Sequence, residues 1–293
     1  MRKRFLKIFP LLSVGISAVV IALLIRRFNA QEIWISLKQI PLLWLAAAVL
    51  LSFAGILIRT LRWKLFLREA KGEWSLRELF PVTLAGVSLG VVTPGGVGEV
   101  GRAYFAGKVM GDSTVMFTTS LLDKWAGLMG AFLLGFWASV MTGSKTFVAV
   151  ASVGLVLLTV LYGILQNSPF KWFDLKCRPR WGVLAVCLVL AVAGWLITYF
   201  QLFLMYRGLQ APLSLKGVYT VGPLLTVASL VPLTFSGIGS RDLMAVTLFQ
   251  GMGVAAKISV AACLLFNVTA VIIPALCGAV VIVRLGGIHA RLG

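Results

Sequence analysis

Acidic side chains are scarce in this chain. Of its 293 residues only nine are Asp or Glu, against 27 Lys and Arg, and charged residues of both signs make up 12% of the total. Histidine occurs once, as His289, and the four cysteines, Cys177, Cys187, Cys263 and Cys277, stand well apart. A single histidine leaves no His-based catalytic pair. Separated thiols give neither a Cys/His metal cluster nor a disulfide framework, and no nucleotide-binding loop is visible. We therefore expect no catalytic residue, no metal and no cofactor, and read the chain as a non-enzyme. Hydrophobic residues, by contrast, make up 60%, a composition that excludes a soluble two-domain protein and belongs in a bilayer. The net charge of +18 would suggest nucleic acid in a soluble protein. Here the charges lie between apolar stretches, where they set topology and attract anionic headgroups, so nucleic acid is not an expected partner.

A helix needs about 20 apolar residues to cross the hydrocarbon core. Six stretches approach or exceed that, at residues 8–25, 42–58, 113–141, 148–165, 183–206 and 258–283. The first follows Met1-Arg2-Lys3-Arg4 and runs into Arg26-Arg27 without a small-x-small cleavage site, so it reads as a retained anchor. Two further apolar stretches, 80–92 and 218–231, are too short to cross. Each ends in a glycine- and proline-containing break, Thr93-Pro94-Gly95-Gly96-Val97-Gly98 and Pro232-Leu233-Thr234-Phe235-Ser236-Gly237-Ile238-Gly239, and each is followed by another short helix, 99–110 and 241–252. Non-helical backbone at membrane depth is tolerated only inside protein or against a wet cavity, so each pair is expected to form a re-entrant helical hairpin. The fold class expected is an all-α integral membrane protein of about six spans plus two such hairpins, in one polytopic domain over residues 1–293 with no soluble domain.

The two hairpin regions repeat one another. Ser75-Leu76-Arg77-Glu78-Leu79-Phe80 corresponds to Ser214-Leu215-Lys216-Gly217-Val218-Tyr219, Gly96-Val97-Gly98 to Gly237-Ile238-Gly239, and Met110-Gly111 to Met252-Gly253. With the break that follows 19 residues later at Pro94 and 18 later at Pro232, four features in the same order indicate internal repeats at about 75–141 and 214–283. With the N-terminus in the cytoplasm, 18 Lys and Arg fall on that side and 7 on the other, which favours cytoplasmic N- and C-termini. That orientation makes the repeats inverted, with the Gly96 hairpin entering from the cytoplasm and the Gly237 hairpin from outside, an arrangement found in transporters. Residues 29–40 and 59–71 read as helices lying on the interface, the first capped by Asn29 and presenting Ile33, Trp34, Leu37 and Ile40 on one face.

Three of the nine acidic residues, Glu99, Asp123 and Asp242, fall at membrane depth, together with Arg102, Lys124 and Arg241. Ions there cost on the order of 3 kcal/mol or more and need partners or a purpose. One reading is structural: Glu99 pairs with Arg102 to hold the hairpin, and Asp123 pairs with another hairpin residue. The other is functional. The breaks at Thr93, Gly95, Gly96, Gly98, Gly237 and Gly239 would present N–H groups and helix N-termini to an anion. Arg102 and Arg241 would grip a phosphate by bidentate bonds, while Glu99, Asp123 and Asp242 place the arginines or meet a cationic group. Gly127 and Gly130 offer a small surface to a neighbouring helix, and Asn267 is a candidate polar partner.

At these residues the sequence resembles the lysylphosphatidylglycerol synthase/flippase membrane-domain family, the membrane half of multiple peptide resistance factors and its stand-alone relatives. The motifs are Thr93-Pro94-Gly95-Gly96-Val97-Gly98-Glu99-Val100-Gly101-Arg102-Ala103-Tyr104, Asp123-Lys124, and Ser236-Gly237-Ile238-Gly239-Ser240-Arg241-Asp242. The chain departs from the family where Glu-Arg is common in place of Asp123-Lys124, and Pro-Gly-Gly in place of Phe235-Ser236-Gly237. The resemblance implies a flippase moving a phospholipid or other anionic or zwitterionic lipid between leaflets of the bacterial cytoplasmic membrane. No aminoacyl-transferase domain follows the last span, so lipid synthesis is not expected. The alternatives are an accessory subunit presenting lipid to a separate synthase or glycosyltransferase, a membrane-embedded lipid-modifying enzyme using Glu99, Asp123 and Asp242 as acid/base groups, and a carrier of a soluble anion. Expected partners are membrane lipids with a phosphate-containing headgroup, with a lipid-modifying enzyme and a second copy of the chain left open.

Overall fold

The computed structural model describes residues 30–70, 72–166, 179–229 and 237–289. Every regular element among them is helical: α1 (Ala30–Gln39), α2 (Leu42–Glu69), α3 (Leu76–Val91), a 3-10 segment (Pro94–Gly101), α4 (Arg102–Met110), α5 (Ser113–Thr142), α6 (Lys145–Gln166), α7 (Trp181–Gly208), α8 (Leu215–Ser229), α9 (Ser240–Gln250), α10 (Ala256–Phe266), a π-helical segment (Asn267–Ile272) and α11 (Ile273–His289). The chain is an all-α multi-pass membrane protein. Five described helical stretches are long and apolar enough to cross: α2, α5, α6, α7 and the continuous run Ala256–Arg284. They coincide with five of the six apolar stretches in the sequence. The first stretch, residues 8–25, and the Asn29 cap lie outside the described residues, as does most of the second break, residues 230–236.

The helices start and stop where local chemistry requires. Ser75 caps α3 in a capping box, its hydroxyl accepting the Glu78 N–H while the Glu78 carboxylate accepts the Ser75 N–H. Those bonds, the backbone one foremost, hold the Glu78 carboxyl below its usual range. Asp112 caps α5 by accepting from the Thr114 and Val115 N–H groups.

Antiparallel packing sets the ends of the bundle. Arg180 at the start of α7 meets Glu69 at the end of α2, while the far end of α7 at Gly208 abuts Ile40. Close approach depends on small residues: a Cβ on Gly130 in α5 would stand 2.9 Å from Ala191 in α7. The adjacent Gly127 carbonyl accepts the Trp195 indole N–H at 2.9 Å. The small Gly127/Gly130 surface therefore seats α7.

The interrupted helices fold back on themselves. Gly86 and Gly90 of α3 face Arg102 and Glu99 across the first break, and Gly98 lies against the Leu89 carbonyl. In the second half Gly237 sits on Ser229, and Gly217 in the first turn of α8 lies near Met252 beyond the end of α9. Each folded unit packs on a long helix of the other half: α3 against α11, α8 against α5.

Two stretches read as lying on the interface behave differently. Residues 59–69 are the last three turns of α2, with Arg62, Trp63, Phe66 and Leu67 buried. Apolar packing of Trp63, Phe66 and Leu67 with Leu79, Val82 and Met116 extends α2 into the bundle rather than along its surface. In α1 Ile33 is buried and Leu37 packs against the core, as does Ile40 just beyond its end, whereas Trp34 is exposed. An ion pair between Glu32 and Lys257 at 2.7 Å ties α1 to the start of α10.

Candidate functional site

Two layers of charge converge between α2, the first break and α5. The inner layer is centred on Asp123. Its Oδ1 accepts from Arg62 Nε at 2.5 Å and its Oδ2 from Arg102 Nη2 at 2.6 Å. Arg62 Nη2 also donates to the Asp123 carbonyl at 3.1 Å, and Arg102 Nε to the Ser120 hydroxyl at 3.3 Å. The Arg102 guanidinium lies 4.1 Å over the Trp63 ring, a desolvated cation–π contact. All three charged side chains are almost completely buried.

The outer layer is centred on Glu99. Arg59 Nη1 donates to its Oε1 at 2.8 Å and Lys124 Nζ to its Oε2 at 3.0 Å. These groups keep partial exposure, about a third of the Arg59 side chain, a quarter of Glu99 and a fifth of Lys124, because they border a cavity of about 260 Å³. Gly96 also lines it, with φ +65°, and a Cβ there would approach Lys124 Nζ at 3.1 Å. Glycine at this position both permits the left-handed backbone and leaves room for the ammonium.

From the second half, Arg241 lines the same cavity. It donates to Asp242 Oδ1 at 3.2 Å and to the Asn267 side-chain oxygen, and its guanidinium lies 4.8 Å from the Phe266 ring centre. Asn267 Nδ2 completes the triangle by donating to Asp242 Oδ2 at 2.8 Å. A third polar group stands on the wall between them: Gln201 of α7 donates to Ser52 Oγ at 2.8 Å, and Ser52 donates to the Thr269 carbonyl at 2.8 Å. Thr269 lies in the π segment, where the widened turn changes the usual carbonyl pairing.

This placement separates the residues expected from sequence. Glu99, Lys124, Arg241 and Gly96 border the cavity. Arg102, Asp123 and Asp242 stand behind its wall and are absorbed in fixed bonds, so Arg102 is not a free phosphate grip. Glu99 pairs with Arg59 and Lys124, not with Arg102. The expectation that the glycine breaks present open N–H groups also needs correction. The Gly98 N–H is held by the Thr93 hydroxyl at 2.7 Å, that of Gly96 by the Thr93 carbonyl at 3.2 Å, and that of Gly239 by the Asp242 carboxylate at 3.1 Å. Thr93 is thus a clasp of the break. Gly237 adopts φ +77° for its turn, and Gly95 lies within the 3-10 segment. Arg59, Arg62, Ser52, Gln201 and Thr269 were missed. Arg59 and Arg62 carried a signal, two cations one turn apart in a helix that also supplies buried aromatics.

Comparison with known proteins agrees with this architecture. Residues 11–278 match the lysylphosphatidylglycerol synthase TM region, and the chain belongs to that family. It is also similar to a UPF0104 membrane protein of Methanothermobacter thermautotrophicus, 23% identical over 295 aligned positions that cover 85% of this chain and 87% of the relative.

Proposed function

We propose that the chain is a flippase that carries lipids with phosphate-containing headgroups between membrane leaflets, without catalysing a chemical change. The observation that carries this reading is the cavity itself, in which Arg59 and Lys124 from the first half and Arg241 from the second face one space among apolar spanning helices. A headgroup held there would exchange bulk water for fixed cations while its acyl chains stay in the lipid.

In this reading the folded-back units are re-entrant hairpins of two inverted repeats. Support comes from paired backbone features: Gly96 and Gly237 have φ +65° and +77°, and Gly111 and Gly253 both have φ +85°. The reciprocal packing of α3 on α11 and α8 on α5 is also what a pseudo-two-fold would produce. A Cβ on Gly278 of α11 would strike the Leu84 carbonyl of α3, and one on Gly135 of α5 would stand 3.0 Å from Val227 of α8. Rocking of one repeat against the other would expose the cavity alternately to the two sides. In the same reading both termini face the cytoplasm of a bacterial cell, and the working partners are lipids.

The test is a leaflet-specific assay in proteoliposomes with head-labelled phospholipid and a membrane-impermeant quencher. Protein-dependent loss of the protected inner-leaflet pool is expected. A pool that stays as protected as in protein-free liposomes, across anionic and zwitterionic lipids, refutes the reading.

A further inference from the structure

Eight ionisable side chains meet at the cavity and its immediate wall: Arg59, Arg62, Arg102, Lys124 and Arg241 against Glu99, Asp123 and Asp242. Five cations face three anions, an excess of two positive charges. No other described carboxylate is placed to cancel it. Glu32 is engaged by Lys257, Glu69 by Arg180, Glu78 by Ser75 and Asp112 by the first turn of α5, and Glu73 is exposed. Of the nine acidic residues only Asp174 lies outside the described residues; residues 1–29 and 230–236 carry no acidic side chain.

We propose that the cavity selects lipid headgroups carrying two negative charges, on one phosphate or shared between two, over headgroups that carry one or none. This deepens the flippase reading and rests on it for the lipid source of the anion. In a low-dielectric setting uncompensated charge is expensive, and a ligand of matching opposite charge removes the imbalance. Glu99 holds the place of a ligand oxyanion between Arg59 and Lys124. Its two bonds use one N–H of the five on Arg59 and one of the three on Lys124. A phosphate that enters can therefore share both cations without first displacing Glu99, with Arg241 lining the same cavity. A monoanion leaves one charge unbalanced and a zwitterion leaves two.

The experiment measures binding to the purified full chain in detergent by native mass spectrometry, at a pH where phosphatidic acid is doubly ionised. The probes are phosphatidic acid, phosphatidylglycerol and phosphatidylethanolamine with the same acyl chains, and inorganic phosphate and glycerol 3-phosphate as competitors. Phosphatidic acid should bind about tenfold more tightly than phosphatidylglycerol, and phosphatidylethanolamine least, the step expected for one unbalanced charge partly screened by water. Lys124→Gln lowers the excess to one charge, which a monoanion balances, and should abolish or reverse the preference for phosphatidic acid over phosphatidylglycerol. Glu99→Gln raises it to three and should widen the preference, and Glu99→Gln with Lys124→Gln should restore the native order.

The wild-type series needs no variant, so a poorly folding substitution leaves the proposal exposed to test. Equal affinity for the three lipids, or the same order and spacing in every protein that folds, overturns it. Inorganic phosphate or glycerol 3-phosphate competing as well as phosphatidic acid overturns the lipid assignment and moves the site to a soluble anion. Charge-ranked binding without transbilayer movement would refute the flippase reading alone. Movement without charge ranking would refute this inference alone.

Discussion

Arg62 and Asp123, 61 positions apart in the chain, are joined through both side chain and backbone: Nε to Oδ1 at 2.5 Å and Nη2 to the Asp123 carbonyl at 3.1 Å. Arg62 thereby fastens the end of α2 to the middle of α5, while its own carbonyl lies within reach of the buried Cys187 thiol of α7 at 3.8 Å. Three helices cross at this point, and the charges there are parts of the framework.

Asp123 is the shared anion of two buried arginines, so its removal should be worse than removal of either arginine. Asp123→Asn leaves Arg62 and Arg102 buried without a counter-charge and should cost about 3–5 kcal/mol. Arg62→Met leaves Asp123 still paired with Arg102 at 2.6 Å and should cost less. Thermal melting in detergent checks the order, and equal losses would contradict it.

The close contact of α3 and α11 depends on Gly278, since a Cβ there would overlap the Leu84 carbonyl. Gly278→Ala should cost about 1–3 kcal/mol through forced backbone movement. Gly163→Ala in α6 meets open space and should be neutral or slightly stabilising, because alanine is the better helix former. The difference in melting temperature between the two variants is the measurement.

Five spans were legible because apolar length alone decides them, and the described helices begin and end within a few residues of that pattern except at the end of α2. There the sequence alternates Arg59, Arg62 and Lys64 with Leu61, Trp63 and Phe66, which looks like an interfacial helix as long as nothing neutralises the arginines. Their partners, Glu99 and Asp123, lie 40 and 61 residues away, and such distances leave no local periodicity. Asn267 could be suspected as an isolated polar residue at membrane depth. The Gln201, Ser52 and Thr269 group could not, since its geometry depends on a π turn that no residue type announces.

Topology gives a further test. Lys108 near the end of α4 and Arg207 at the end of α7 are both exposed, and re-entrant hairpins place them on opposite faces of the membrane. In a cysteine-free background, Lys108→Cys and Arg207→Cys should each react with an impermeant thiol reagent from one side only, and from different sides. Labelling of both from the same side would remove the inverted-repeat arrangement.

The last prediction separates the cavity from its frame. Lys124 borders the cavity and shares Glu99 with Arg59, so Lys124→Gln leaves Glu99 with its 2.8 Å bond to Arg59 and should change the melting temperature little. Lipid movement should nevertheless fall by roughly 10–100-fold, the equivalent of one charge-assisted bond of about 1.5–3 kcal/mol. Lys124→Arg keeps the charge and should retain more activity than Lys124→Gln. Arg102 is different: it is buried, stacked on Trp63 and bonded to Asp123 and Ser120, and Arg102→Gln should lower activity and stability together. Melting curves and the leaflet assay on the same preparations decide the matter. If Lys124→Gln flips lipid at the native rate, Lys124 is not a headgroup contact; if Arg102→Gln loses transport with an unchanged melting temperature, Arg102 reaches the lipid after all.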